Sequence, residues 1–271
     1  MPIPRLKKVD DNYQETDYSE LLKSLSINLD KYMEKPPICI EIIQYGKKYR
    51  FGTLGNFSVI GGQNKSRKTF FMSALVGASL GSRLILNMRG YFEGKDVIFF
   101  DTEQSEYDLH MSARRAVLLN GHKGGLSNYK IFCLRPLTPE GRTMFIESYL
   151  EKNKNIGLIV IDGVRDLITD VNNPDQSTEI VTKIMQWTKV YNIHASLVLH
   201  ENPGSDKLRG HLGTEIQNKA ETIIRIEKPK DEPEISRVIP KAIRGAKEFE
   251  PYAFRINDDV LPELTILENA F

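Results

Sequence analysis

The segment Ser58–Phe70, SVIGGQNKSRKTF, constrains this chain more than any other stretch. A short apolar run, Phe57 to Ile60, feeds a loop that starts on glycine and ends in Lys68-Thr69; an apolar segment from Phe70 to Leu80 follows. Strand, glycine-started loop and helix in that order form a phosphate cradle. The backbone N–H groups of Gly61, Gly62, Gln63, Asn64, Lys65, Ser66 and Arg67, with the first helical turn at Lys68, Thr69 and Phe70, point at one spot that favours anionic charge. Lys68 is expected to reach the β- and γ-phosphates of ATP, and the Thr69 hydroxyl to ligate Mg2+. Counting from Gly62, Arg67 stands where this pattern has a second glycine. That position often takes a positive φ, which costs a non-glycine residue ~1 kcal/mol. The bland alternative is a basic surface turn.

A length of 271 residues suits one α/β domain with an extension. The net charge of +1 gives no bias toward nucleic acid or membrane, so any nucleic-acid contact must come from local loops. Cys39 and Cys133 each sit in an apolar run, and no CxxC pattern exists, which fits a reducing compartment. No apolar stretch approaches the length of a membrane span, and MPIPRLKK lacks the apolar core of a signal peptide. A cytoplasmic protein without a membrane partner is expected.

Residues 1–37 read as an arm. Tyr18, Leu21, Leu22, Leu25, Leu29, Tyr32 and Met33 form a one-sided stripe that predicts a helix over Asp17–Met33, started by a capping box at Asp17 and Glu20 and ended by Pro36-Pro37. Such a helix packs either on its own domain or on a neighbouring subunit. From residue 38 to residue 271 a single domain is expected. Short strands at Ile38–Ile43 and Lys48–Phe51 precede the loop strand. Buried strands at Lys95–Phe100, Tyr129–Leu134, Gly157–Ile161 and Ala195–Leu199 alternate with helices at Tyr107–Leu119, Thr138–Glu151 and Ser177–Tyr191. This alternation predicts an α/β fold with a mostly parallel, twisted sheet flanked by helices. Ile223–Ile226, Ile235–Ile243 and Tyr252–Ile256 have no helices between them, so the sheet is expected to finish antiparallel.

In open parallel sheets, ligands bind beyond the carboxyl ends of the strands. Asp101, Thr102 and Glu103 follow VIFF; Asp162 follows LIVI; His200, Glu201 and Asn202 follow SLVL. Asp162 is the expected second holder of Mg2+, the alternative being a turn cap before Gly163. Glu103, two residues past its strand, would orient a water on the γ-phosphate and accept its proton, with Asp101 as competitor. His200 would sense the γ-phosphate, or serve as a structural hydrogen bonder. His110, His122, His194 and His211 show no metal-ligand spacing.

Together, GGQNKSRKT, FFDTEQS, LIVIDG, LVLHEN and LRGHLGTEIQNKAETIIRI resemble the RecA-like ATPases, and more narrowly the RepA-type and DnaB-type ring helicases of plasmids and mobile elements. The resemblance spans Gly55 to Ile256. It implies a RecA-like P-loop fold in which Glu103 matches the catalytic glutamate, Asp162 the Walker B aspartate and His200 the polar end of the sensor strand. It also implies a ring or filament, commonly a hexamer, because the arginine finger comes from an adjacent subunit. Arg209 matches the RepA-type finger; Lys241 and Arg244 occupy the neighbourhood of the DnaB-type charges. Both assignments stay open. A trans guanidinium is worth ~10³–10⁵ in rate in related enzymes.

The loops 164–177 and 201–212 correspond to the channel-facing loops of such rings. The second carries Lys207, Arg209 and His211, which suit a single-stranded DNA backbone, but it has no aromatic residue for base stacking, and the first is acidic. The leading expectation is an ATP-hydrolysing motor acting on DNA, such as a helicase. A different class is a nucleotide-dependent assembly or regulatory module with slow or absent turnover, which Arg67 and the neutral charge balance favour. A small-molecule kinase needs an arginine-rich lid, and none is evident.

Overall fold

In the computed structural model, which describes residues 22, 23 and 25–266, the chain divides into Met1–Pro36 and Pro37–Phe271. In the first unit Leu22, Lys23 and Leu25 are helical, and Ser26 N–H donates to Leu22 O at 2.9 Å. The expected helix does not continue to Met33. From Ser26 the chain turns, and the Asn28 side chain accepts from Asp30 N–H at 2.9 Å, an Asx contact that competes with helix. The expected capping box at Asp17 and Glu20 lies outside the described residues.

The second unit runs β1 (Ile38–Gln44), β2 (Lys47–Thr53), β3 (Phe57–Gly62), α1 (Lys68–Ser79), β4 (Met88–Gly90), β5 (Asp96–Asp101), α2 (Glu106–Leu119) and β6 (Tyr129–Cys133). It continues with α3 (Pro139–Lys152), β7 (Ile156–Asp162), a 3-10 turn (Val164–Leu167), α4 (Pro174–Tyr191), β8 (His194–His200) and α5 (Gly210–Lys219). It finishes with β9 (Thr222–Glu227), β10 (Ile235–Ile243), β11 (Tyr252–Ile256) and β12 (Pro262–Thr265). Nine strands form one mixed sheet in the order β12-β11-β10-β9-β3-β8-β7-β5-β6. The six from β9 to β6 are mutually parallel, and the last three pair antiparallel. The α/β class, the mostly parallel sheet and its antiparallel finish therefore agree with the sequence.

Period-two burial explains the layers. On β7, Leu158 and Val160 pack into one core with α1 and α2, while Ile159 and Ile161 pack into the other with α3, α4 and α5. Both faces are covered, which is why LIVI reads as a continuous apolar run.

Several features depart from the sequence reading. β1 and β2 do not enter the main sheet; with β4 they form a separate antiparallel sheet in the order β2-β1-β4. This sheet is tied to the main one by the buried Glu221 carboxylate, which accepts from Thr53 N–H at 2.9 Å and faces Arg50 Nε at 3.3 Å. Helix α5 and strands β4 and β12 were not expected. Gly210–Leu212 thus belong to a helix rather than a loop, and α4 begins at Pro174, inside the segment read as the first channel loop. Among the described residues, no helix is long and apolar enough to cross a membrane.

Candidate nucleotide site

Parallel pairing puts the relevant strand ends in one row. His200 is level with Gly62 across β8 and β3, and Asp101 is level with Asp162 across β5 and β7. β7 lies two strands from β3, roughly 10 Å away. A cavity of about 320 Å3 opens on this edge, lined by Lys65 through Phe70 together with Glu103, Gln104, Asp162 and His200. The loop lysine, both predicted carboxylates and the imidazole therefore share one space.

The loop itself is built for close approach. Gly62 has φ 151°, and a Cβ there would lie 2.4 Å from Ile226 O, so only glycine fits. Helices α2, α3 and α4 are capped by the side chains of Ser105, Thr138 and Asn173. Helix α1, like α5, has no side-chain cap and no acidic residue in its first turn, which leaves its N-terminal dipole without a local counter-charge. Arg67 occupies the expected left-handed region, at φ 71° and ψ 29°. Its guanidinium donates to Pro233 O and Glu234 O, each at 2.9 Å, and to Ser236 Oγ at 3.3 Å, tying the loop to the β9–β10 connection.

Lys68 is 6% exposed and folds back, its ammonium donating to Gly62 O at 3.0 Å and Gln63 O at 2.8 Å. Burial pushes its pKa down, against the pull of Asp162, Glu103 and Glu201. Burial likewise pushes the Asp162 carboxyl up, reinforced by Asp101 and Glu103 and opposed by Lys68. Ser66 Oγ and His200 Nδ1 are buried and unpartnered among the described residues. Unsatisfied donors and a destabilised carboxylate around one cavity fit a phosphate chain and a divalent cation.

Asp101 and Glu103 have separate tasks. Asp101 is fully buried and accepts the N–H groups of Glu103 at 3.0 Å and Gln104 at 2.7 Å, as well as the Gln104 side-chain amide. It is a loop cap, and Glu103 is the carboxylate that faces the cavity. Proximity to His200, 3.7 Å from Nε2 to Oε2, is the main cause that holds the Glu103 carboxyl below its usual range; burial opposes, and Lys68 and Arg165 assist. Thr102 Oγ1 lies 3.0 Å from Asp162 O, locking the β5 end against the β7 end. Gly163, at φ 94°, allows this, since a Cβ there would sit 2.1 Å from Thr102 Oγ1.

Arg209 and Arg244 do not join the cavity of their own chain. Arg209 is exposed at the start of α5, although its N–H donates to His200 O at 3.0 Å. Arg244 follows Ile243, which pairs with Thr222 and through it lies level with Ser58, at the sheet edge opposite Gly62; its guanidinium donates to Asn218 O at 2.7 Å. Asn64 is exposed in the loop. In the loop 164–177, Val164, Leu167, Ile168 and Val171 are buried core residues, and Val171 O accepts from Leu212 N–H at 3.2 Å, joining the two loops.

The sequence did not single out the pair of buried Glu201 with half-buried Arg225, at 2.9 Å, or the contacts of Gln63 with the loop after β8. Arg225 sits beside Gly61 only through β3–β9 pairing, which leaves no local signal. No protein-family model matches this chain, and comparison with curated proteins finds no match.

Proposed function

We propose that this chain is a RecA-like P-loop ATPase that binds Mg-ATP and hydrolyses it in the cytoplasm as a ring-forming motor on single-stranded DNA. The observation that carries the reading is the single cavity shared by Lys65–Phe70, Glu103, Asp162 and His200. The loop N–H groups and the Lys68 ammonium would hold the phosphate chain. Thr69 and Asp162 would hold Mg2+, which supplies charge neutralisation at the phosphate oxygens. Glu103, kept ionised by His200 and Lys68, orients the attacking water and accepts its proton. His200, bonded through its backbone carbonyl to Arg209 N–H, links the site to the loop 201–212. By the resemblance, a guanidinium from a neighbouring copy, Arg209 or Arg244, would complete the site; neither lines the cavity of its own chain.

A second reading, a nucleotide-dependent assembly module with little turnover, draws on the Arg67 tether, which restrains the loop at the β9–β10 connection. Steady-state ATPase with and without single-stranded DNA separates the two. Glu103→Gln is expected to lower turnover by ~10²–10⁴ while the protein still binds ATP. A wild-type protein that binds ATP, assembles and never hydrolyses it refutes the motor.

A further inference from the structure

The loop after β8 is clasped onto the phosphate loop by one side chain. The Gln63 amide donates to Asn202 O at 2.8 Å and Ser205 O at 2.6 Å, with Glu201 Oε2 a weaker third acceptor at 3.4 Å. Two carbonyls take its two N–H bonds, so the reversed amide would set oxygen against oxygen. The clasped segment is self-bonded: Asn202 N–H donates to Lys207 O at 2.9 Å, and Ser205 N–H to Asn202 O at 3.1 Å. Leu208, buried at its end, packs so closely on Gly61 that a Cβ there would lie 2.7 Å from Leu208 Cδ2. An exposed ion pair, Asp206 to Lys241 at 2.8 Å, is a second tether of the segment.

The main chain of the same glutamine is held by Lys68, whose ammonium spans Gly62 O and Gln63 O. A phosphate oxygen arriving in the cavity draws the ammonium off these carbonyls, because a charged acceptor is the stronger partner. The Gln63 peptide then loses the ammonium that anchors its carbonyl, and the side-chain clasp loses that support.

We propose that Gln63 is a positioning residue that clasps the segment 202–207 through its side-chain amide and releases it when phosphate enters the loop. The inference rests on the nucleotide-binding reading above. It adds a route to this loop through the P-loop side chain, separate from the one through His200.

Amide hydrogen exchange of residues 202–207 tests it, measured without nucleotide and with a non-hydrolysable ATP analogue plus Mg2+ at concentrations that saturate each protein. Binding is scored independently with a fluorescent ATP analogue. In the wild type, exchange is expected to rise about tenfold on loading, the effect of losing two hydrogen bonds. Gln63→Met and Gln63→Glu are expected to exchange at the released rate without nucleotide and to change less than twofold with it. Asp206→Asn, which cuts only the ion-pair tether, is expected to start higher yet keep the nucleotide-driven rise. The coupling is overturned if the loaded wild type exchanges no faster, if both Gln63 variants keep the rise, or if Asp206→Asn loses it. A wild type that binds no ATP analogue overturns the nucleotide reading as well; binding without a loop response sinks the coupling alone.

Discussion

Arg67 stands where a phosphate loop ordinarily has glycine, and replacing it separates two opposed effects. At φ 71° and ψ 29° an L-residue is strained by about 1 kcal/mol or slightly more. Against this, the half-buried guanidinium makes two 2.9 Å hydrogen bonds to Pro233 O and Glu234 O and a longer one to Ser236 Oγ. Discounted for solvent screening, the two short bonds contribute about 0.5–1 kcal/mol each. Arg67→Ala loses the tether and keeps the strain, so it should be less stable than wild type by about 1–2 kcal/mol. Arg67→Gly loses the same tether but sheds the strain, less about 0.5–1 kcal/mol of extra unfolded-state entropy. It should fall between wild type and Arg67→Ala, about 0.5 kcal/mol above the alanine variant. Urea unfolding with a common m-value measures both differences. An Arg67→Gly protein no more stable than Arg67→Ala would remove the strain argument, and an Arg67→Ala protein as stable as wild type would remove the tether.

Two further outcomes follow from buried groups. His194 is fully buried, with Nδ1 3.0 Å from Thr53 O and Nε2 3.0 Å from Ser58 Oγ, and burial pushes its pKa down to about 4. The unfolded chain takes up a proton near pH 6.5 that the native state refuses until about pH 4. The stability linked to His194 is therefore complete above pH 6.5 and falls by up to about 3 kcal/mol on acidification through that window. A His194→Gln variant should show a flatter stability profile between pH 6.5 and 4, and parallel profiles would contradict the assignment. At Gly163, alanine must accept both φ 94° and a 2.1 Å approach to the buried Thr102 hydroxyl. Gly163→Ala should lose about 3 kcal/mol in thermal or urea unfolding, and a near-neutral result would mean that the β5–β7 junction yields easily.

Local patterns carried much of this molecule. GGQNKSRKT announced a strand, a loop and a helix because glycine, lysine and threonine at those spacings have few other uses. VIFF, LIVI and SLVL announced buried parallel strands because both of their faces need apolar cover. The positive φ of residue 67 was legible too, since it follows from loop geometry rather than from packing. Helix Gly210–Lys219 was not, because its glycine-rich start and polar face show little periodicity until Leu212 and Ile216 find the core.

Where contacts form between residues far apart in the chain, the sequence was silent. Asp101 caps its own loop through Glu103 and Gln104, but Glu103 shares a cavity with Asp162 and His200 only because β5, β7 and β8 lie side by side. Gln63 met Asn202 and Ser205 only because β3 pairs with β8, and Ile38–Gln44 joined a small sheet with β4 through pairing that no local period encodes. Short-range propensities act over a few residues and can be read in line. Strand order is decided by which apolar faces bury each other best, a property of the assembled layers, and the row of strand ends that makes a site exists only after that choice is made.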